Sequence, residues 1–313
     1  MKDIHVAFFT EAGYSRGMGH ITRSFTISEK FRFLGIKTSL FLDSNIFFDD
    51  KFKDITYFDW REFELTDNYD IIFIDSYEAN IEVYHKIANS CKVAVYIDDF
   101  KRLNYPKGVI LNFTPDANKV FYKLREEKYT YLLGLKYMPI RDEFIGVKTT
   151  KKEQIFIMMG GCDVKNLSLE LIHAFKDIAI KKLIVLNDKN IANSLKKYKD
   201  VEVLYKPSDM QLVKAMASSA IAISTASMSA YELSYLKIPT IIVAVAENQE
   251  IGASQFIKHN IVSDFISIKN DTWQDDIKNK TKRVLSQNKH YINTAIDGNG
   301  AENIAYEILQ LTK

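Results

Sequence analysis

Short, continuous apolar runs recur along the chain and alternate with stretches of helical spacing. The first run is Ile4-His5-Val6-Ala7-Phe8-Phe9, and others follow at residues 38–42, 71–74, 93–97 and 109–111. A second series occupies residues 154–159, 183–186, 201–204, 221–223 and 240–245. Helical periodicity lies between them at 79–88, 167–178, 209–217, 230–236 and 251–258. A strand buried on both faces reads as an unbroken apolar run, so this alternation predicts an α/β chain with parallel sheets covered by helices. The rhythm breaks over residues 141–152, a charged, irregular stretch ending in Thr149-Thr150-Lys151-Lys152. The chain therefore divides into two domains, 1–147 and 148–313. A last helix, introduced by Gly298-Asn299-Gly300 and running to Leu311, is a candidate to pack back on the first domain. Two open α/β domains in tandem place a ligand in the cleft between them, at the carboxyl ends of the strands.

Composition narrows the partners. At 313 residues, each domain is large enough to bury its own core. Hydrophobic residues make up 47% and charged residues 26%, the balance of a globular protein. A formal net charge of +2 supplies no field to recruit nucleic acid, and Lys181-Lys182 and Lys196-Lys197 read as solvated faces. No apolar run reaches the length of a membrane span, and no signal-peptide pattern opens the chain. Cys91 and Cys162 are far apart and form neither a CxxC pair nor a disulfide framework. The expectation is a cytoplasmic monomer or weak dimer acting on a small molecule.

The candidate chemistry collects where the predicted strands end. After the first run comes Gly17-Met18-Gly19-His20-Ile21-Thr22-Arg23, and then helical spacing at Ile21, Ser24, Phe25, Ile27, Ser28 and Phe31. Glycines let the backbone approach a ligand closely, and the free N–H groups of a helix start favour an anionic group. A neutral imidazole at His20 is suited to act as a base, because the helix dipole disfavours its charged form. The same residue also reads as a plain polar helix start. Asp75-Ser76-Tyr77 follows 71–74, and Asp98-Asp99 follows 93–97. Gly160-Gly161-Cys162-Asp163 follows 154–159, with Asn166 a turn later. Residues 224–229 lead into a helix bearing Glu232, and Glu247-Asn248-Gln249 follows 240–245. Singly, each has an ordinary reading: Asp98-Asp99 as a turn, Tyr77 as a rim residue, Ser227 as an N-cap. Five polar loops on one side of the sheets are more than solubility requires.

These segments, together with Asp297-Gly298-Asn299-Gly300-Ala301, carry a resemblance over nearly the whole chain. In order and approximate spacing they resemble the UDP-2,4-diacetamido-2,4,6-trideoxy-β-L-altropyranose hydrolases of the bacterial pseudaminic acid pathway, enzymes of GT-B glycosyltransferase architecture. The resemblance implies two Rossmann-like domains whose parallel sheets face each other across a cleft. It implies that His20 activates water. It also implies that Ser227, Met228 and Ser229 meet the diphosphate at a helix N-terminus and that Glu232 accepts the ribose hydroxyls. Gly19, Gly161, Asn248 and Gln249 fall on the nucleotide side, and Gly17, Tyr77, Asp98 and Asn166 on the sugar side.

The implied function is hydrolysis of a UDP-linked deoxy-amino sugar. Water attacks the anomeric carbon in line, UDP departs, and the configuration inverts. No DxD element stands at a strand end and the histidines are few and scattered, so neither a metal nor an organic cofactor is expected. The alternative is a GT-B glycosyltransferase, in which a sugar acceptor replaces water and His20 deprotonates its hydroxyl. Where the family carries an Arg and an Asp shortly before the glycine loop, this chain has Phe9 and Glu11. The nucleotide half thus follows the family more closely than the sugar half.

Overall fold

The computed structural model describes residues 4–14, 16–47, 52, 54–123, 125–150, 152–160, 163, 166–244, 247–287 and 293–313. The strands in chain order are β1 (His5–Ala12), β2 (Lys37–Ser44), β3 (Ile55–Tyr57), β4 (Ile71–Asp75), β5 (Val93–Ile97), β6 (Gly108–Asn112), β7 (Tyr129–Leu133), β8 (Gln154–Met158), β9 (Lys181–Leu186), β10 (Val201–Tyr205), β11 (Ile221–Thr225), β12 (Thr240–Ala244) and β13 (Asp264–Ser267). The helices are α1 (Gly19–Phe33), α2 (Ile81–Ala88), α3 (Ala117–Val120), α4 (Leu167–Ala174), α5 (Lys189–Leu195), α6 (Asp209–Ala217), α7 (Met228–Tyr235), α8 (Glu247–Lys258), α9 (Trp273–Ser286) and α10 (Gly300–Gln310). No helix among the described residues is long and apolar enough to cross a membrane.

The chain forms two compact units, Met1–Ile140 with Asp297–Lys313, and Arg141–Ile296. The expected boundary after residue 147 lies inside the second unit, because Arg141 pairs there with Glu232 and Asp209 and Phe144 is buried. The helix α10 belongs to the first unit. Gly300 stands so close to the Met138 backbone that a Cβ would overlap it, and Lys30 of α1 reaches Glu302 at 3.0 Å.

The first unit holds a seven-stranded parallel sheet in the order β3-β2-β1-β4-β5-β6-β7. Its central strand β1 is buried along its whole length. On one face Phe8 stacks on Phe73, with ring centroids 4.4 Å apart, and meets Phe31 of α1 edge-on. On the other face Phe9 stacks on Phe41 at 4.5 Å and meets Phe58 and Phe63 edge-on. Each such side chain contributes about 1.5–3 kcal/mol of burial, and the double-sided burial explains the unbroken apolar run. The second unit holds a six-stranded parallel sheet in the order β10-β9-β8-β11-β12-β13. Its core joins Ile155, Ile157, Leu171, Phe175, Ile223 and Trp273.

Both sheets reverse their winding once, between β1 and β4 and between β8 and β11. At such a point the loops leaving the two strands diverge and open a crevice at the carboxyl ends, the place where open α/β sheets bind ligands.

Candidate functional site

The first unit places a buried charge cluster at its reversal point. Beyond β1, Gly13 and Gly17 pair back on each other (N···O 3.1 and 2.7 Å) and close a tight loop. Gly17 takes φ +72°, a conformation that strains any residue with a side chain. The loop delivers the chain into α1, whose N-cap Met18 supplies no capping bond. His20 lies buried in the first turn, with Nδ1 2.5 Å from Oδ1 of Asp75 at the end of β4. An ionised carboxylate only accepts, so Nδ1 donates and Nε2 is left as the nitrogen able to take a proton.

Arg23 stands one turn after His20, on the same face of α1. It holds Asp75 through Nε and Nη2, both at 2.6 Å, and Asp99 through Nη1 at 2.7 Å and Nη2 at 3.1 Å. Nη2 also lies 3.2 Å from His20 Nδ1, but both atoms are donors committed to carboxylates, so this is proximity and not a bond. Ser24 donates a further hydrogen bond to Asp75 at 3.2 Å. Tyr77 donates its hydroxyl to Asp99 at 2.5 Å, and its ring meets the His20 imidazole edge-on, with centroids 4.6 Å apart. Burial works to raise the Asp75 carboxyl, but Arg23 and His20 outweigh it and hold Asp75 well below the usual carboxylate range. Asp99 is lowered against burial by Arg23 in the same way. Burial and the adjacent Asp99 push the Tyr77 phenol up, which keeps it a donor.

The structure separates Asp98 from its neighbour. Asp98 is buried, accepts from the Tyr122 hydroxyl, and takes the Arg102 backbone N–H at 3.1 Å. Arg102 in turn bonds the Tyr84 hydroxyl at 2.9 Å and the backbone oxygens of Tyr77 and Ala79, both at 3.3 Å. Asp98 therefore shapes the loop after β5, whose Arg102 ties it to the loop after β4, while Asp99 joins the His20 cluster. Glu11, fully buried, braces the latter loop. It accepts from Trp60 Nε1 at 3.0 Å, from Tyr77 N at 2.9 Å and from the Ser76 hydroxyl. Phe9 lies in the aromatic core on the face opposite α1. Gly17 in the loop and Gly19 at the start of α1 are half-buried, and Tyr77 is exposed.

In the second unit, Ser227 leads from β11 into α7 without a capping bond from its own side chain. Ser227 instead accepts from the Thr225 hydroxyl at 3.3 Å, and the Ser229 hydroxyl points at Met158 Sδ, 3.9 Å away at the end of β8. The first turn of α7, Met228 and Ser229 included, thus presents backbone N–H groups at the reversal point. Glu232, one turn on, is buried, and Arg141 grips both its oxygens, Nε to Oε1 at 2.6 Å and Nη2 to Oε2 at 3.0 Å. Arg141 also reaches Asp209 at 2.7 Å. After β8, Asp163 accepts the N–H groups of Leu167 at 2.9 Å and Ser168 at 3.0 Å. Burial raises its carboxyl. Asn166 takes a left-handed backbone at φ +53° at the head of α4, exposed and not capping it. Gly161 and the side chains of Asn248 and Gln249 lie outside the described residues.

The structure thus brings His20 and Tyr77 together with Arg23, Asp75 and Asp99, to which the sequence reading gave no role. The spacing of His20 and Arg23, three apart on a helix, carried a signal. Arg141, a lone arginine in an irregular stretch, carried none.

No family model matches the chain. Among solved structures it superposes on the glycotransferase of kitacinnamycin with a TM-score of 0.68 at 10% identity, covering 99% of both chains. It superposes on the UDP-GlcNAc 2-epimerase of Methanocaldococcus jannaschii, solved with UDP-GlcNAc and UDP, with a TM-score of 0.67 at 9% identity, covering 98% of this chain and 100% of that one. The fold is GT-B. Among curated proteins, this GT-B chain is 27% identical over 262 residues to the pseudaminic acid cytidylyltransferase and UDP-2,4-diacetamido-2,4,6-trideoxy-beta-L-altropyranose hydrolase of Helicobacter pylori. That similarity covers 82% of this chain and 47% of the relative, so the chain spans about half the relative's length. The resemblance carried by the motifs is thus a similarity of sequence along most of the chain.

Proposed function

We propose that this protein hydrolyses a UDP-linked deoxy-amino sugar, releasing UDP and a free sugar for nonulosonic acid biosynthesis of the pseudaminic type. The buried Asp75–His20 pair at the β1/β4 reversal carries the reading. Asp75 fixes the imidazole with its proton on Nδ1, and Nε2 takes the proton of a water molecule as the C1–O bond breaks. General-base assistance of this kind is worth about 10²–10⁴-fold. The attack is in line, so the anomeric configuration inverts. The leaving diphosphate is received by the N–H groups at the start of α7, whose dipole favours the charge that develops. Glu232 accepts a ribose hydroxyl through lone pairs that Arg141 leaves. Gly161, Asn248 and Gln249 complete the nucleotide side, and Tyr77 and Asn166 serve the sugar.

The similarity to the Helicobacter pylori protein supports the substrate class. Phe9 packs in the core and Glu11 braces the loop that carries Tyr77, so the departures at these positions act on the sugar side only through that loop. The altropyranose derivative is accordingly the first substrate to test. Asp98 and Asp99 are both engaged by protein donors, so the reaction is expected to run at an unchanged rate in EDTA. The test is to incubate the protein with UDP-sugars and no acceptor, and to follow UDP. Release without acceptor supports hydrolysis. Release only after a sugar acceptor is added identifies a glycosyltransferase, the activity named for the kitacinnamycin neighbour.

A further inference from the structure

We infer that Arg23 is the positioning residue of this site: by spanning Asp75 and Asp99 it balances both acids and so keeps Nε2 of His20 free of a proton. The inference rests on the hydrolase reading for the use made of Nε2, but the proton's position is a property of the protein alone. The charged and titratable groups around His20 are Asp75 from β4, Arg23 from α1, Tyr77 from the loop after β4 and Asp99 from the loop after β5. Nη2 of Arg23 bonds both carboxylates, so the two acids stand no further apart than two hydrogen bonds laid end to end. Two carboxylates this close, one fully buried and one partly, draw a proton to their cluster when no counter-charge stands between them.

Arg23 supplies that counter-charge. Without it, the proton drawn from solvent goes to Nε2 of His20, because an imidazole is more basic than a carboxylate and Asp75 stays the acceptor of the Nδ1 proton. The imidazole then carries a proton on both nitrogens, Nε2 included, the one that must accept from water. The site would keep every catalytic group and lose its base. The same argument names a second-site remedy. Arg23→Met together with Asp99→Asn removes one positive and one negative charge, so the cluster keeps its net charge and Nε2 has no reason to hold a proton.

The experiment is NMR of the imidazole nitrogens in protein labelled at histidine, with the His20 signal assigned from His20→Asn, and UDP release measured on the same samples. The wild type is expected to show the proton on Nδ1. Arg23→Met should show protons on both nitrogens at neutral pH and lose about 10²-fold or more in turnover. The double variant should return Nε2 to the unprotonated state and recover at least about tenfold of that loss. Arg23→Lys, which keeps the charge without the fork, should keep Nε2 unprotonated. An unprotonated Nε2 in Arg23→Met, or a protonated one in the wild type or the double variant, overturns the inference. Should Arg23→Met not fold by circular dichroism, the charge-balanced double variant decides alone. If the protonation follows this order while no variant releases UDP, the hydrolase reading falls and the role of Arg23 in keeping Nε2 free stands.

Discussion

The two units reverse their sheets in the same way and handle charge at the reversal in opposite ways. In the first, the strand-end acid Asp75 has a guanidinium, an imidazole and a hydroxyl around it, and is held below the usual range. In the second, the strand-exit acid Asp163 is met by backbone N–H groups, and burial raises it. Beside it, α7 begins without a capping bond from the Ser227 side chain. One reversal point surrounds its acid with side-chain donors, and the other meets its acid with backbone N–H groups. Topology therefore decides where a site lies, and local residues decide what chemistry it does.

The comparison can be broken by showing that the two functions are not separable. His20→Ala is expected to lower turnover by about 10²-fold or more while leaving UDP affinity unchanged by calorimetry. Loss of UDP binding in that variant would merge the two sites into one. Glu232→Gln is the converse. Exchanging a charged acceptor should weaken UDP binding by about ten- to a hundredfold, with little change in turnover of the bound complex. It should also lower the melting temperature, because Arg141 loses half of a buried bidentate pair. A lower melting temperature with unchanged UDP affinity would leave Glu232 as an anchor for Arg141 only.

The smallest effect tests the contrast in sign. Asp75 is depressed in the folded state, so its contribution is present above the unfolded carboxylate value and is lost as pH falls below about 4. Asp163 is raised, so it costs stability as pH climbs from about 4 toward its folded value. In melting curves across pH, the advantage of the wild type over Asp75→Asn should shrink on acidification. The difference between the wild type and Asp163→Asn should move the other way. Parallel slopes would remove the electrostatic distinction between the units.

The sequence pattern revealed the central strands and the edge strand β10, and concealed the other three edges. β1, β4, β8, β11 and β12 are buried on both faces and read as apolar runs. The edge strands β3 and β7 were not visible because one side of each faces solvent, with Thr56 and Thr130 exposed, and the short edge strand β13 was not visible either. The helix α9 was hidden for a similar reason. It buries Trp273, Ile277, Thr281 and Val284 along one stripe of an otherwise charged segment. At the site, the polar loops and His20 were readable from their place after each strand. The division of labour between Asp98 and Asp99 was not. Neighbouring residues at a strand exit point to opposite sides, and only the turn decides which one meets Arg23 and which meets Tyr122.

The central claim is that His20 directs water to the anomeric carbon. The most direct measurement is turnover of the UDP-linked altropyranose derivative in water carrying a heavy oxygen isotope, with mass analysis of both products. The account predicts the label on C1 of the sugar, none on UDP, an inverted configuration at first release, and a fall of about 10²-fold or more in the labelled product in His20→Ala. Label on the UDP phosphate, or undiminished release in His20→Ala, would contradict it.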